Sequence, residues 1–216
     1  VWAVFALQSL GDGNGCLTFT TDSYVVTPLQ FAGSSIGHLA VNGTVNDLSV
    51  SGATPMYLSF GLILEEGLPF VELIEVLADM GEAAQNAGIK VVTGDTKVVE
   101  RGSCDKLFIN TAGVGYLSAE VDIRIPNIQA GDKLILNGDI GDHGVAILAA
   151  RGDLALGTTI GSDCQPLNGL VAELLQANID IHAMRDVTRG GLATVLNEFA
   201  DGANLGMYLE EKAIPV

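Results

Sequence analysis

The chain has 216 residues, 48% of them hydrophobic and 17% charged, with 27 glycines, a composition that builds one or two globular domains with a real core and excludes a disordered chain. Its 26 acidic residues against 10 basic ones leave a formal charge of −16, a field that repels phosphate backbones and argues against nucleic acid as a partner. No apolar run reaches the roughly 20 residues that cross a bilayer, so no membrane partner is expected.

In chain order, the opening "VWAVFAL" is apolar but has no basic flank and no start methionine. It reads as cut from something longer rather than as a signal peptide. Residues 18–31, "TFTTDSYVVTPLQF", are rich in β-branched and aromatic residues and predict a strand leading into a loop. Residues 36–52 are helix-like, with Gly52 and Pro55 as the stop. "MYLSFGLILEEG" (56–67) predicts a strand. Leu73, Leu77, Met80, Ala84 and Ala87 then recur at helical spacing between Pro69 and Gly88, the clearest amphipathic helix in the chain. "IKVVTG" (89–94) and "KLFINTAGVGYL" (106–117) predict two more strands.

Residues 118–131 turn polar, and a boundary is expected there. The expected units are residues 1–118, a linker at 119–131, and a second unit at 132–216. That second unit should contain a strand "KLILNG" (133–138), a glycine-rich turn into a helix ("DIGDHGVAILAAR") and a helix at 166–177. A short strand "IHAMRD" and the helix "LATVLNEFADG" should follow. The chain stops at "EEKAIPV" before this unit would complete a sheet. The expected class is therefore α/β (α+β), two α/β domains with mixed sheets, the second truncated.

Four carboxylates share one setting: Asp22 in "TTDS", Asp47 in "VNDL", Asp95 in "TGDT" and Asp186 in "RDVT". Helix caps and turns account for Asp beside Thr. Asp47 resists that reading, because it lies in a mostly apolar helix with few opposite charges near it, and a buried carboxylate needs a cation. Several carboxylates without basic partners suit Mg²⁺, which takes hard oxygen ligands and bridges them to phosphates. Lys97 stands two residues after Asp95 in a chain with 10 basic residues, where it could neutralise a transferring phosphoryl group or simply pair with Glu100. Neither GxxxxGK[ST] nor GxGxxG after a strand occurs, so any nucleotide site is of another type. His143 among its glycines is either a general acid–base or structural. Cys16, Cys104 and Cys164 are odd in number and far apart, which fits neither a disulfide framework nor a zinc site and favours a reducing cytoplasm. With no histidine near them in sequence, support for nucleophilic thiol chemistry is weak.

"TTDSYVVTPLQF", "GTVNDLSVSGATP", "LILEEGLP", "VVTGDTKVVERG", "LFINTAGVG", "IGDHGVAIL" and "RDVTRGGLATVLNE" together resemble the family of the hydrogenase maturation factor HypE. The resemblance runs from about Thr18 to Val216, and the Asp-bearing segments also resemble the wider superfamily of aminoimidazole ribonucleotide synthetase, selenophosphate synthetase and thiamine-phosphate kinase. It implies a homodimer paired through the N-terminal sheets, with ATP and Mg²⁺ in a cleft between the paired sheet and the C-terminal domain. It places Asp22, Asp47, Asp95 and Asp186 near the metal and phosphates and Lys97 on the phosphates, with Asn46 and Thr96 nearby; Lys97, Asp95 and Asp47 would be the catalytic set.

The implied reaction is ATP-dependent dehydration of a C-terminal cysteine thiocarboxamide to a thiocyanate. The carbamoyl group comes from HypF, and the nitrile passes to iron on HypC–HypD for the [NiFe]-hydrogenase centre. The family's glycine-rich N-terminal segment and cysteine tail have no counterpart here, so the expectation is a chain that keeps the phosphate and metal site without completing dehydration on itself. The competing readings are another ATP-using superfamily member and a non-catalytic dimerisation or docking module of the maturation machinery. Glu100 and Arg101 carry no assigned role.

Overall fold

The computed structural model describes residues 15–154 and 159–216; the reading of the apolar opening lies outside them. The class is α/β with a mixed sheet, as expected. Strand β1 (Gly15–Tyr24) is followed by a small hairpin, β2 (Gln30–Phe31) and β3 (Ser34–Ser35), then helix α1 (Ile36–Val50). Strand β4 (Thr54–Glu65), helix α2 (Phe70–Asn86), strand β5 (Lys90–Val99) and strand β6 (Leu107–Ser118) complete the N-terminal part. The sheet order is β1-β6-β4-β5. Strands β1 and β4 both pair antiparallel to β6, whereas β4 and β5 run parallel, with α2 as the crossover that parallel strands require.

Local chemistry explains the helix ends. Ser35 caps α1, its Oγ accepting from the amides of Gly37 (3.1 Å) and His38 (3.3 Å), and Gly52 beyond the other end takes φ +85°. The α2 stripe differs from the expected one: Val76 and Ala83 are each buried at 1% exposure while Leu77 stands at 39%. Both helices cover one face of the sheet, where Ile36, Val41, Val45 and Leu48 of α1 meet Leu58, Leu62, Leu107 and Ile109. At Gly37 the helices approach so closely that a Cβ would lie 2.5 Å from the carbonyl of Val76.

Among the described residues no helix packs on the other face, which is bare. Strands alternate their side chains, so Phe60, Leu62 and Leu64 enter the core while Tyr57, Gly61 and Ile63 point away. Phe19 (38% exposed), Tyr57 (43%) and Ile63 (41%) form an apolar surface there.

Three local readings differ from the structure. The segment "GDTKVV" is not a turn: it continues β5 through Val99, because its backbone pairs in parallel with Phe60–Glu65. Residues 133–138 and 181–186 are not strands, and among the described residues no strand follows Ser118. A β-rich run needs a partner backbone, and Ile135 instead stands 87% exposed. The C-terminal part consists of helices α3 (Asp142–Arg151), α4 (Asn168–Gln176) and α5 (Gly191–Ala203) with short 3₁₀ turns. Its own small core joins Val195, Leu196 and Phe199 to Ile125, Ile128 and Met207. Ile147 of α3 enters the N-terminal core.

Candidate functional site

Three of the predicted carboxylates converge. Asp47 lies on the sheet-facing side of α1, 3% exposed, where its Oδ2 accepts from Thr20 Oγ1 at 3.2 Å. Thr20 and Asp22 alternate along β1 on the helix-covered face, and Asp186 comes from the segment ahead of α5. Burial pushes the Asp47 carboxyl up to about 8, with Asp186 and Asp22 adding repulsion and Arg189 partly opposing it. Asp186 Oδ1 is buried without a hydrogen-bond partner.

A buried carboxylate with two acidic neighbours and an orphaned oxygen beside it is an environment that a cation would relieve. Among the described residues no three His, Cys, Asp or Glu side chains form a ready-made metal cage. That donor set still suits Mg²⁺, which uses one or two carboxylates and takes its remaining ligands from phosphates and water. Asp47, Asp22 and Asp186 are the residues that would hold it.

Asp95 and Lys97 are not part of this cluster. They form an ion pair of 2.6 Å, with side chains 71% and 70% exposed. Lys97 pairs in register with Ile63, and Asp95 with Gly61, so both point from the bare face. Lys97 and the Thr96 amide hold the Asp95 carboxyl below its ordinary range. Thr96 registers with Leu62 and faces the helix side. Within this chain the sheet itself separates Asp95 and Lys97 from Asp47. Asn46 lies next to Asp47, but its amide is engaged elsewhere: Nδ2 donates to the Gln165 carbonyl (3.0 Å) and Oδ1 accepts from the Leu167 amide (2.8 Å).

His143 packs edge-to-face on Phe31, ring centroids 5.5 Å apart, and its Nδ1 meets Ser162 Oγ at 3.0 Å, a structural setting in which burial lowers its pKa. All three cysteines are free thiols; burial pushes the Cys164 thiol up, away from a reactive thiolate. The Glu100 carbonyl closes a turn onto the Ser103 amide (3.1 Å), and Arg101 lies over Gly67.

Sequence reasoning missed four contributors. Thr20 was legible in principle, since "TFTTD" sets Thr18, Thr20 and Asp22 at period two. Thr44 and Thr111, hydroxyl to hydroxyl beneath Tyr24 and beside Ala40, and Arg189, over 140 residues from Asp47, carry no local signal.

A profile for the AIR synthase related protein N-terminal domain matches residues 3–117, and one for the corresponding C-terminal domain matches residues 129–216. The chain is 50% identical over 208 residues to a carbamoyl dehydratase HypE of Rhodobacter capsulatus, a match covering 96% of this chain and 61% of that protein. The chain belongs to the HypE family of AIR synthase related proteins. A crystal structure of HypE with ATP superposes at a TM-score of 0.90 and 48% identity, covering 97% of this chain and 62% of that one. The HypE of a HypE–HypF complex does so at 0.90 and 47%, covering 96% and 68%. The chain thus spans about three fifths of the length of the curated HypE relatives it matches. No helix among its described residues is long and apolar enough to cross a membrane.

Proposed function

We propose that this HypE-family chain carries the nucleotide and metal half of a cytoplasmic carbamoyl dehydratase serving [NiFe]-hydrogenase maturation. The observation that carries this reading is the convergence of Asp47, Asp22 and Asp186 around a buried carboxyl raised to about 8. The ATP-bound HypE relative lends support.

In this reading the oxygen of a cysteine thiocarboxamide receives the γ-phosphoryl group of ATP. Phosphate then leaves with that oxygen and the nitrogen loses its protons, so the net change is loss of one water to give a thiocyanate. Magnesium, held by Asp47, Asp22 and Asp186, would supply charge neutralisation on the phosphates. Thr20 fixes the Asp47 carboxylate by its hydrogen bond. Lys97 presents its ammonium to phosphate, and Asp95 orients it.

Because the sheet separates that pair from Asp47 within one protomer, Lys97 and Asp95 act across a homodimer. The bare face with Phe19, Tyr57 and Ile63 is the surface that would be covered. HypF, found with HypE in the relative complex, would supply the carbamoyl group, and HypC–HypD would receive the nitrile. The domain boundary at 119–131 then separates the sheet from the part that brings Asp186.

Calorimetry with Mg-ATP tests the site. Binding should be abolished by Asp47→Ala and weakened by EDTA; unchanged heats in Asp47→Ala would overturn the assignment. With a carbamoylated cysteine peptide added in trans, mass spectrometry should detect loss of one water only when ATP is present.

A further inference from the structure

Asn46 and Asp47 are consecutive residues of α1 with divided tasks. Asp47 points to the carboxylate cluster. Asn46 sits with Asn42, one turn earlier on the same stripe, along the seam with residues 161–168. Asn42 Nδ2 approaches Cys164 Sγ at 3.5 Å. One turn on, both ends of the Asn46 amide close on backbone, at Gln165 O and Leu167 N.

The same segment is tied at its two ends. Ser162 donates its amide to the Ala32 carbonyl at 2.7 Å, and Asn168 Nδ2 donates to the Ala87 carbonyl at 2.8 Å. Gly33 permits the first tie: at φ +80° its Cβ would stand 2.9 Å from the Ser162 nitrogen. Residues 162–168 therefore form a strap from the β2–β3 hairpin, across α1, to the end of α2. Asn46 is its central fastening.

We infer that Asn46 is a positioning residue, whose amide locks this strap onto α1 and so holds the C-terminal part in the pose that sets Asp186 against Asp47. The inference rests on the functional reading above for its consequence, although the strap itself does not. An asparagine suits the task because it offers a donor and an acceptor on one rigid plane, matching the C=O of Gln165 and the N–H of Leu167. Alanine leaves both backbone groups without their partner, and aspartate removes the donor and puts a carboxylate against a carbonyl. The fastening adjoins the acidic cluster without entering it, so it can set geometry at Asp47 from outside the cluster.

The test uses the chain with Asn46→Ala, Leu167→Pro and the double variant. Leu167→Pro deletes the amide that Asn46 holds while leaving Asn46 and Asp47 in place. Hydrogen exchange without nucleotide should show the Leu167 amide at least tenfold faster in Asn46→Ala than in wild type. Mg-ATP affinity by calorimetry should fall about tenfold in each single variant, and the double variant should be no worse than either.

An unchanged Leu167 exchange rate overturns the strap. Wild-type Mg-ATP affinity in Leu167→Pro, with affinity lost in Asn46→Ala, overturns positioning and makes Asn46 a direct ligand. If wild type itself fails to bind Mg-ATP, the functional reading falls, and the Leu167 exchange rate still decides the strap by itself.

Discussion

The two faces of the four-stranded sheet have the same strands and opposite characters. The helix-covered face is built to be finished within one chain: Leu58, Leu62, Leu107 and Ile109 are sealed by α1 and α2, with Thr18, Thr20, Thr44, Asp47 and Thr111 as buried polar side chains among them. The bare face shows Phe19, Tyr57 and Ile63 to solvent beside a charged pair. The first face carries the stability and half of the proposed site; the second contributes little to folding and carries the other half. The predicted chemistry is thus divided by a single layer of backbone.

Substitutions should respect that division. On the covered face, Leu58→Ala, at 2% exposure, should cost about 3 kcal/mol of stability by denaturant titration; a cost under about 1 kcal/mol would place the core elsewhere. Asp47→Asn should act in the opposite sense. The folded carboxyl is raised to about 8 from an ordinary 3.8, so the native state retains a proton that the unfolded state has released between these values. The penalty grows as pH rises through that window. Without magnesium, Asp47→Asn should gain several kcal/mol at pH 8 and nothing near pH 4; equal gains at both would break the assignment.

On the bare face, Ile63→Asp should leave the stability of the fold within about 0.5 kcal/mol yet convert the proposed dimer to a monomer in sedimentation. Lys97→Ala, breaking an exposed pair, should likewise change stability by under about 0.5 kcal/mol while lowering Mg-ATP affinity about tenfold. The smallest effect lies outside the sheet. His182 meets Asp132 at 2.7 Å, and that carboxylate, through its hydrogen bond, raises the imidazole above its ordinary 6.5. Its contribution should be present below pH 6.5 and lost as pH rises through the raised value. Asp132→Asn should flatten that slope in denaturation measured at pH 6 and pH 8.

The sequence displayed the covered face best, because helical and period-two spacing report burial directly. Asp47 stood out as an uncompensated carboxylate in an apolar helix. "GDTKVV" misled because Gly-Asp-Thr is turn chemistry, and only the register with β4 shows it to be strand. That register also sets Lys97 away from Asp47, a fact that residue type cannot convey. Residues 133–138 and 181–186 have strand composition without a partner among the described residues, since pairing is a property of two segments. The Asn46 fastening was invisible because it grips backbone, and any sequence would supply the Gln165 carbonyl.

Strand β5 has one further consequence. Among the described residues it ends the sheet, paired on one side with β4, so its ten residues form an edge with which another extended chain could pair. Lys90, Asp95 and Lys97 line it at high exposure, and charge on an edge is what discourages such pairing. The charges proposed to handle phosphate also guard solubility, and a variant stripped of them should be the one that sticks to itself.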